Sequence, residues 1–195
     1  MTGQIHDMVL HNRSIYSLCG IRGNGLFNPT DHGLQPSEMS AACQRGYHCL
    51  YSVEDGVLVL QHVKVGHDLA RKHEPGKTPP TRLFGVLPAE GDHLGTTYNA
   101  LNRPIPFTGS LLLGRDFIAE LYQHVGFQSP HNCREVIELT FDGGTVVDTV
   151  DRSQEMREIR RQNAREERAR RRLLLQCTEE RQPPQPPAGV FSLEY

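Results

Sequence analysis

Two Asp-Gly turns constrain this chain more than any other feature. Glu54-Asp55-Gly56 and Asp142-Gly143-Gly144 each separate runs rich in β-branched and aromatic residues. An Asp-Gly pair accepts the positive φ values a tight hairpin demands, so both turns predict antiparallel strand pairs. The first pair takes residues 47–53 and 57–65, the second 134–141 and 145–150. In the second, Ile137, Leu139 and Phe141 alternate with Glu138 and Thr140, the period of a half-buried strand. In 57–65, Val57, Val59, Gln61, Val63 and Val65 alternate with Leu58, Leu60, His62 and Lys64. That pattern predicts burial on both faces at the start of the strand only.

A short helical pattern precedes each hairpin. Over 36–46, Pro36 suits a first turn, Glu38 favours the positive end, and Met39, Ala42 and Cys43 share a face before Gly46. Over 115–125, Phe117, Ile118, Leu121, Tyr122 and Val125 form one stripe that stops at Gly126. The expected fold class is therefore α+β: a mainly antiparallel sheet from two hairpins, two short helices packed on it, and a C-terminal Arg-rich helical extension. Residues 1–150 form the globular domain. Within it, 14–66 and 98–150 share the order strand, loop, helix, glycine, hairpin, a weak internal similarity. Polar loops are expected over 67–81 and 88–96, a strand over 82–87, and irregular chain over 98–107, where Pro104 and Pro106 bar a central strand.

The hydrophobic fraction of 37% and mean hydropathy of −0.50 suit a globular domain with a polar appendage. No apolar run reaches the 18 residues a membrane helix needs, so no membrane association is expected. The first residues, MTGQIHDMVLHNRS, carry neither the basic nor the apolar region of a secretory signal. Five cysteines, an odd count without a CxxC, point to free thiols in a reducing compartment. Cytoplasmic localisation is the expectation.

The net charge of −2 hides an asymmetry. Residues 1–150 hold 11 Lys and Arg against 15 Asp and Glu, a net −4, whereas 151–195 hold 10 Arg against 8 acids, a net +2. Residues 151–177 combine strong helix formers with no Gly or Pro, and read as an Arg-rich helix whose apolar residues are too sparse for a coiled coil. Residues 178–195 follow as a Pro-rich spacer (QPPQPP) and an apolar terminus, VFSLEY, suited to strand addition on a sheet edge. Arg160, Arg161, Arg168, Arg171, Arg172, Phe191 and Tyr195 are the candidate partner-binding residues.

Titratable side chains are densest between Gly20 and Val65. Arg22, Asn24, Asp31, His32, Arg45, Tyr47 and His48 are the candidate ligand-binding residues: glycines near Arg22 would bring backbone N–H groups to an anion, and Asp31-His32 is an acid/base pair. The loop 22–33 lacks the GK[ST] ending of a phosphate-binding loop and the GxGxxG of a dinucleotide site. Cys43, His48 and Cys49 lack the paired spacing of a structural zinc site, so no metal and no cofactor is expected. No nucleophile motif assigns a catalytic residue. One enzymatic alternative, ADP-ribosyl transfer, needs an early Arg or His, an aromatic clamp and a late-strand Glu, an order met by Arg22 or His32, Tyr47 and Glu138.

Three readings follow. The first is a cytoplasmic interaction or accessory protein that binds a protein partner or self-assembles through its Arg-rich helix and tail. The alternative is a nucleotide-like ligand-binding protein or enzyme with its site at 22–48. The third is a nucleic-acid accessory protein acting through residues 157–172, whose phosphate contacts would make binding salt-dependent.

Overall fold

The computed structural model describes residues 2–66, 82–92 and 95–179. Ten strands and one α-helix run in the order β1 (Met8–His11), β2 (Ser14–Asn24), β3 (Tyr47–Glu54), β4 (Val57–Gly66), β5 (Ala89–Asp92), β6 (Gly95–Tyr98), β7 (Arg103–Pro104), β8 (Thr108–Phe117), β9 (Cys133–Asp142), β10 (Thr145–Asp151) and α1 (Ser153–Glu179). The chain forms two compact units, Met1–Arg157 and Glu158–Tyr195. No helix among the described residues is long and apolar enough to cross a membrane.

This overturns the expected architecture of two hairpins under two short helices. The two Asp-Gly turns do close antiparallel pairs, β3 with β4 and β9 with β10. Those four strands belong, however, to one mixed sheet in the order β10-β9-β8-β2-β1-β3-β4-β6-β5, with β7 also beside β4. Among the described strands only β1 and β3 run parallel. The sheet also returns on itself, because Thr145 of β10 pairs with Val57 of β4. Leu58 N–H donates to the Gly144 carbonyl at 2.8 Å, and Val146 N–H to that of Gly56 at 2.7 Å. Seven strands thus make a closed ring with few free edge groups, which removes the pairing hazard of an open sheet.

The ring encloses one apolar core. Val9 from β1, Tyr16 and Leu18 from β2, Tyr51 from β3, Leu58 and Leu60 from β4, Leu111 and Leu113 from β8, and Leu139 and Phe141 from β9 all enter it. Phe27, Leu101, Ile105 and Phe107 enter from the connections. In β4 the buried parity changes partway, from Leu58 and Leu60 to Val63 and Val65. The cause is a bulge: Tyr51 pairs with Leu60 and Leu50 with His62, leaving Gln61 opposite no residue of β3. The freed Gln61 carbonyl accepts from Leu101 N–H at 3.0 Å.

Neither expected short helix in the globular unit forms. Residues 36–46 are an irregular strap of local turns, such as Cys43 N–H to the Ser40 carbonyl, tied to distant segments by Ser37 N–H to the Gly66 carbonyl and Ile5 N–H to the Ala42 carbonyl. It lies against Gly46 and Gly66, where a Cβ at either would collide with the Ser37 carbonyl. Over 115–125, strand β8 continues through Phe117, which pairs with Cys133, and only a single 3₁₀ turn (Ala119–Leu121) follows. Asp116 has φ 58°, which breaks the helical path where the stripe was to begin. With no core above them, Leu121, Tyr122 and Val125 stay exposed.

Smaller corrections follow the same logic. The expected strand over 82–87 is a tight turn, bridged between Leu83 and Val86 with φ of 50° and 85° at Phe84 and Gly85. Parts of the expected irregular stretches pair instead as β5, β6 and β7, the last placing Pro104 opposite Val59 at the sheet's edge. The expected loop over 67–81 and the spacer and apolar tail over 180–195 lie outside the described residues.

Candidate functional site

Antiparallel register across β2, β8 and β9 sorts the polar side chains of the ring's outer face into rows. Arg22 pairs with Ser110, which pairs with Thr140; one step along, Gly20 pairs with Leu112, which pairs with Glu138. A groove of about 300 Å³ lies over these rows, with Gly20 and Leu112 in its lining and Arg22, Glu138, Arg152 and Met156 around it.

Glu138 is the centre of this groove. Its Oε1 accepts from Arg22 Nη2 at 3.1 Å, and its Oε2 accepts from Arg152 Nε at 2.9 Å and is 2.7 Å from Arg152 Nη2. Arg22 also donates to Ser110 Oγ at 3.2 Å, and Arg152 to Glu155 at 3.3 Å. The hydrogen bond from Arg152 holds the Glu138 carboxyl below its ordinary value, with Arg22 acting in the same direction. A carboxylate so held is ionised and doubly paired, which makes it a poor proton acceptor and a good anchor. Two arginines and two carboxylates leave the groove electrically balanced, so it does not attract a free anion.

What this network anchors is the start of α1. Arg152 N–H donates to the Val136 carbonyl at 2.8 Å, and Ser153 Oγ accepts from Val136 N–H at 3.0 Å. Asp151 Oδ1 accepts from Ser153 N–H at 2.8 Å, in the manner of a helix cap. Met156 is 5% exposed and Val136 fully buried, so the first helical turn is tied to β9 by apolar burial as well as charge.

The candidate ligand residues do not meet in one place. Arg22 is in the groove just described. Asn24 ends β2 opposite Thr108, exposed. Asp31 accepts from Asn28 Nδ2 at 3.3 Å, and His32 stacks on Phe27 with centroids 5.2 Å apart and Phe84 against its edge. Arg45 forms an ion pair with Asp7 at 2.5 Å and donates through Nε to the Tyr47 carbonyl at 2.8 Å, with its guanidinium 4.7 Å from the Tyr47 ring centre. His48 lies on β3 opposite Lys64, where burial lowers its pKa. Of the ADP-ribosyl-transferase set, Arg22 and Glu138 are neighbours, but Tyr47 and His32 are engaged elsewhere and line neither groove nor network.

Asp7 was not singled out in the sequence. It is 7% exposed and accepts from Arg45 and, through Oδ1, from Cys49 N–H at 2.6 Å. Its only signal was an acid immediately before the MVLH run, too common a pattern to assign. Among the described residues no group of three or more His, Cys, Asp and Glu is placed to hold a metal ion.

The second unit is represented by α1. Arg160, Arg161, Arg168, Arg171 and Arg172 all lie on it, and every residue from Arg161 to Gln176 is exposed. Phe191 and Tyr195 lie outside the described residues. Fold and site together define a closed mixed β-ring with a C-terminal helix anchored by an arginine–carboxylate network. No protein-family model, no curated protein and no solved structure matches the chain.

Proposed function

We propose that the protein is an accessory protein that docks an acidic protein surface through the arginine face of α1. The observation that carries this reading is the sorting of charge along the exposed helix. At 3.6 residues per turn, Arg157, Arg160, Arg161, Arg165, Arg168, Arg171 and Arg172 fall within an arc of about 140° and span about 22 Å of the axis. Glu166 and Arg170 fall opposite that arc, and Glu158 and Glu167 at its margins. Five of these residues, Arg161, Arg165, Arg168, Arg171 and Arg172, have no ion pair among the described residues.

One feature favours protein over nucleic acid as the partner. Leu175 continues the same face five turns from Arg157, and Leu173, Leu174 and Leu175 are 62, 61 and 57% exposed. An apolar end to a basic stripe fits a protein groove and gives nothing to a phosphate lattice. A cytoplasmic setting belongs to this reading and is supported by the free thiols of Cys19, Cys43, Cys49 and Cys133.

Fluorescence anisotropy of the full chain against labelled polyglutamate, and against duplex DNA of matched charge, tests it. Polyglutamate is expected to bind with a steep salt dependence that flattens in the Arg161→Gln, Arg165→Gln, Arg168→Gln, Arg172→Gln variant. Tighter binding to DNA would replace the protein partner with nucleic acid, and binding to neither would end the proposal.

A further inference from the structure

A second cavity of about 340 Å³ opens on the outer face of β1, β2 and β8, away from the Glu138 groove, and has three sulphur-bearing residues, Met8, Cys19 and Cys133, in its wall. Cys19 reaches it because of a bulge. Leu18 pairs with Leu113 and Gly20 with Leu112, so Cys19 is the extra residue of β2, and its side chain is re-aimed from the ring's alternation. Bulges of this kind are common beside binding sites.

The two thiols face each other over a glycine. A Cβ built on Gly114 would lie 2.7 Å from Cys133 Sγ and 3.0 Å from Cys19 Sγ, so the sulphurs are no farther apart than the sum of those distances. Any side chain at 114 would fill the space between them. Cys19 also approaches the Ser17 carbonyl at 3.4 Å, and Ser17 Oγ approaches Met8 Sδ at 3.8 Å, which brings the thioether to the same face. Both cysteines are free thiols. They share a hydrogen bond.

The cavity's other charged and nitrogen-bearing groups are engaged: Arg115 pairs with Glu135 at 2.6 Å, Asp116 with Arg134 at 3.7 Å, and Gln128 bonds Gln123. His6 bonds the Leu18 carbonyl through Nδ1 at 2.8 Å and accepts Gln128 N–H through Nε2 at 3.0 Å, so it offers no lone pair to a ligand. Two thiols and a thioether without a free imidazole are a soft, low-coordinate donor set. Such a set selects Cu(I) over Zn(II), which in protein sites wants four ligands in a tetrahedron.

We infer that Cys19 and Cys133 form a two-thiolate site for a monovalent thiophilic metal ion of the Cu(I) class, with Met8 as a third, weaker donor. Binding forms two metal–thiolate bonds and breaks two S–H bonds, the protons leaving to solvent, while the Met8 thioether donates a lone pair, with no change of oxidation state. At the bond length of about 2.3 Å seen for zinc–thiolate sites, two ligating sulphurs sit at most about 4.6 Å apart, within the range the Gly114 geometry permits.

The test is an anaerobic titration of the reduced full chain with Cu(I) against the chelator bicinchoninate. One tightly held equivalent is expected, with the ultraviolet charge-transfer absorption of thiolate–Cu(I). Cys19→Ser and Cys133→Ser should each abolish it, whereas Cys43→Ser and Cys177→Ser should keep it. Gly114→Ala should weaken binding with both thiols still in place, and a preserved circular dichroism spectrum separates that loss from unfolding. An equivalent retained in both Cys19→Ser and Cys133→Ser, or Zn(II) held as tightly as Cu(I), overturns the assignment.

Discussion

The arginines of the ring and those of the helix carry the same charge and do opposite work. In the ring, Arg22 and Arg152 hold Glu138, Arg45 holds Asp7, and Arg115 pairs with Glu135 at 2.6 Å. There the guanidinium is architecture, a rigid fork matched to a carboxylate. Along α1, seven arginines recur on one face with acids opposite or at its margins, Arg170 alone lying opposite, and Arg161 to Gln176 stand in solvent. Repeated like charge on one face costs the isolated helix stability, which a partner of opposite sign would return. An arginine's role is set by whether the register has delivered a carboxylate to it.

The comparison breaks most sharply at Asp7. Asp7→Ala leaves the Arg45 guanidinium and the Cys49 N–H without their acceptor, and removing one partner of a buried pair costs about 3–5 kcal/mol. Urea unfolding should show that loss, and a midpoint near wild type would mean that the pair is ornamental. Leu111→Ala, wholly within the core, provides the uncharged reference at about 2–5 kcal/mol.

Acid should unpick the ring in two steps. Burial lowers the pKa of His11 and His48 below 6.5 in the folded chain, so the unfolded chain gains protons first, and stability present above 6.5 declines as pH falls through it. Glu135 and Glu138 are held below 4.5 by Arg115 and Arg152 respectively. Their contribution is complete above 4.5 and disappears as pH falls through their folded values. Melting temperature against pH is the measurement. His48→Gln should shrink the first step and Arg152→Gln the second; an Arg152→Gln profile superimposable on wild type would remove Glu138 from the account.

The smallest effect should come from the helix. Arg161→Gln, Arg165→Gln, Arg168→Gln and Arg172→Gln together should leave the urea midpoint unmoved while changing partner binding. A large destabilisation would show that the stripe is architecture too, and the distinction between the two sets of arginines would collapse.

Legibility followed the range of the interactions. Asp55-Gly56 and Asp142-Gly143 close their turns through local backbone preference, and the residues on either side pair across them. The long helix was equally readable, because some 25 residues without Gly or Pro have few other places to go. The stripe from Phe117 to Val125 was not, because helical spacing matters only where a core lies beneath it, and strand pairing with β9 took Phe117 while nothing covers Leu121, Tyr122 and Val125. Glu138 was readable as a strand carboxylate but not as the partner of Arg22 and Arg152, which lie 116 and 14 residues away. Cys19 and Cys133 gave no spacing signal at all, since a bulge in β2 and a glycine in β8 bring them together.

By itself, then, the sequence determined the two tight turns, the Arg-rich helix and the uneven distribution of charge, all of which depend on neighbours within a few residues. Tertiary structure decided the rest: the ring's closure through Thr145 and Val57, the parity change at Gln61, and the meeting of Glu138 with its two arginines. These depend on strand register between distant segments. A shift of one residue would turn every side chain to the other face, and no local preference records which register prevails.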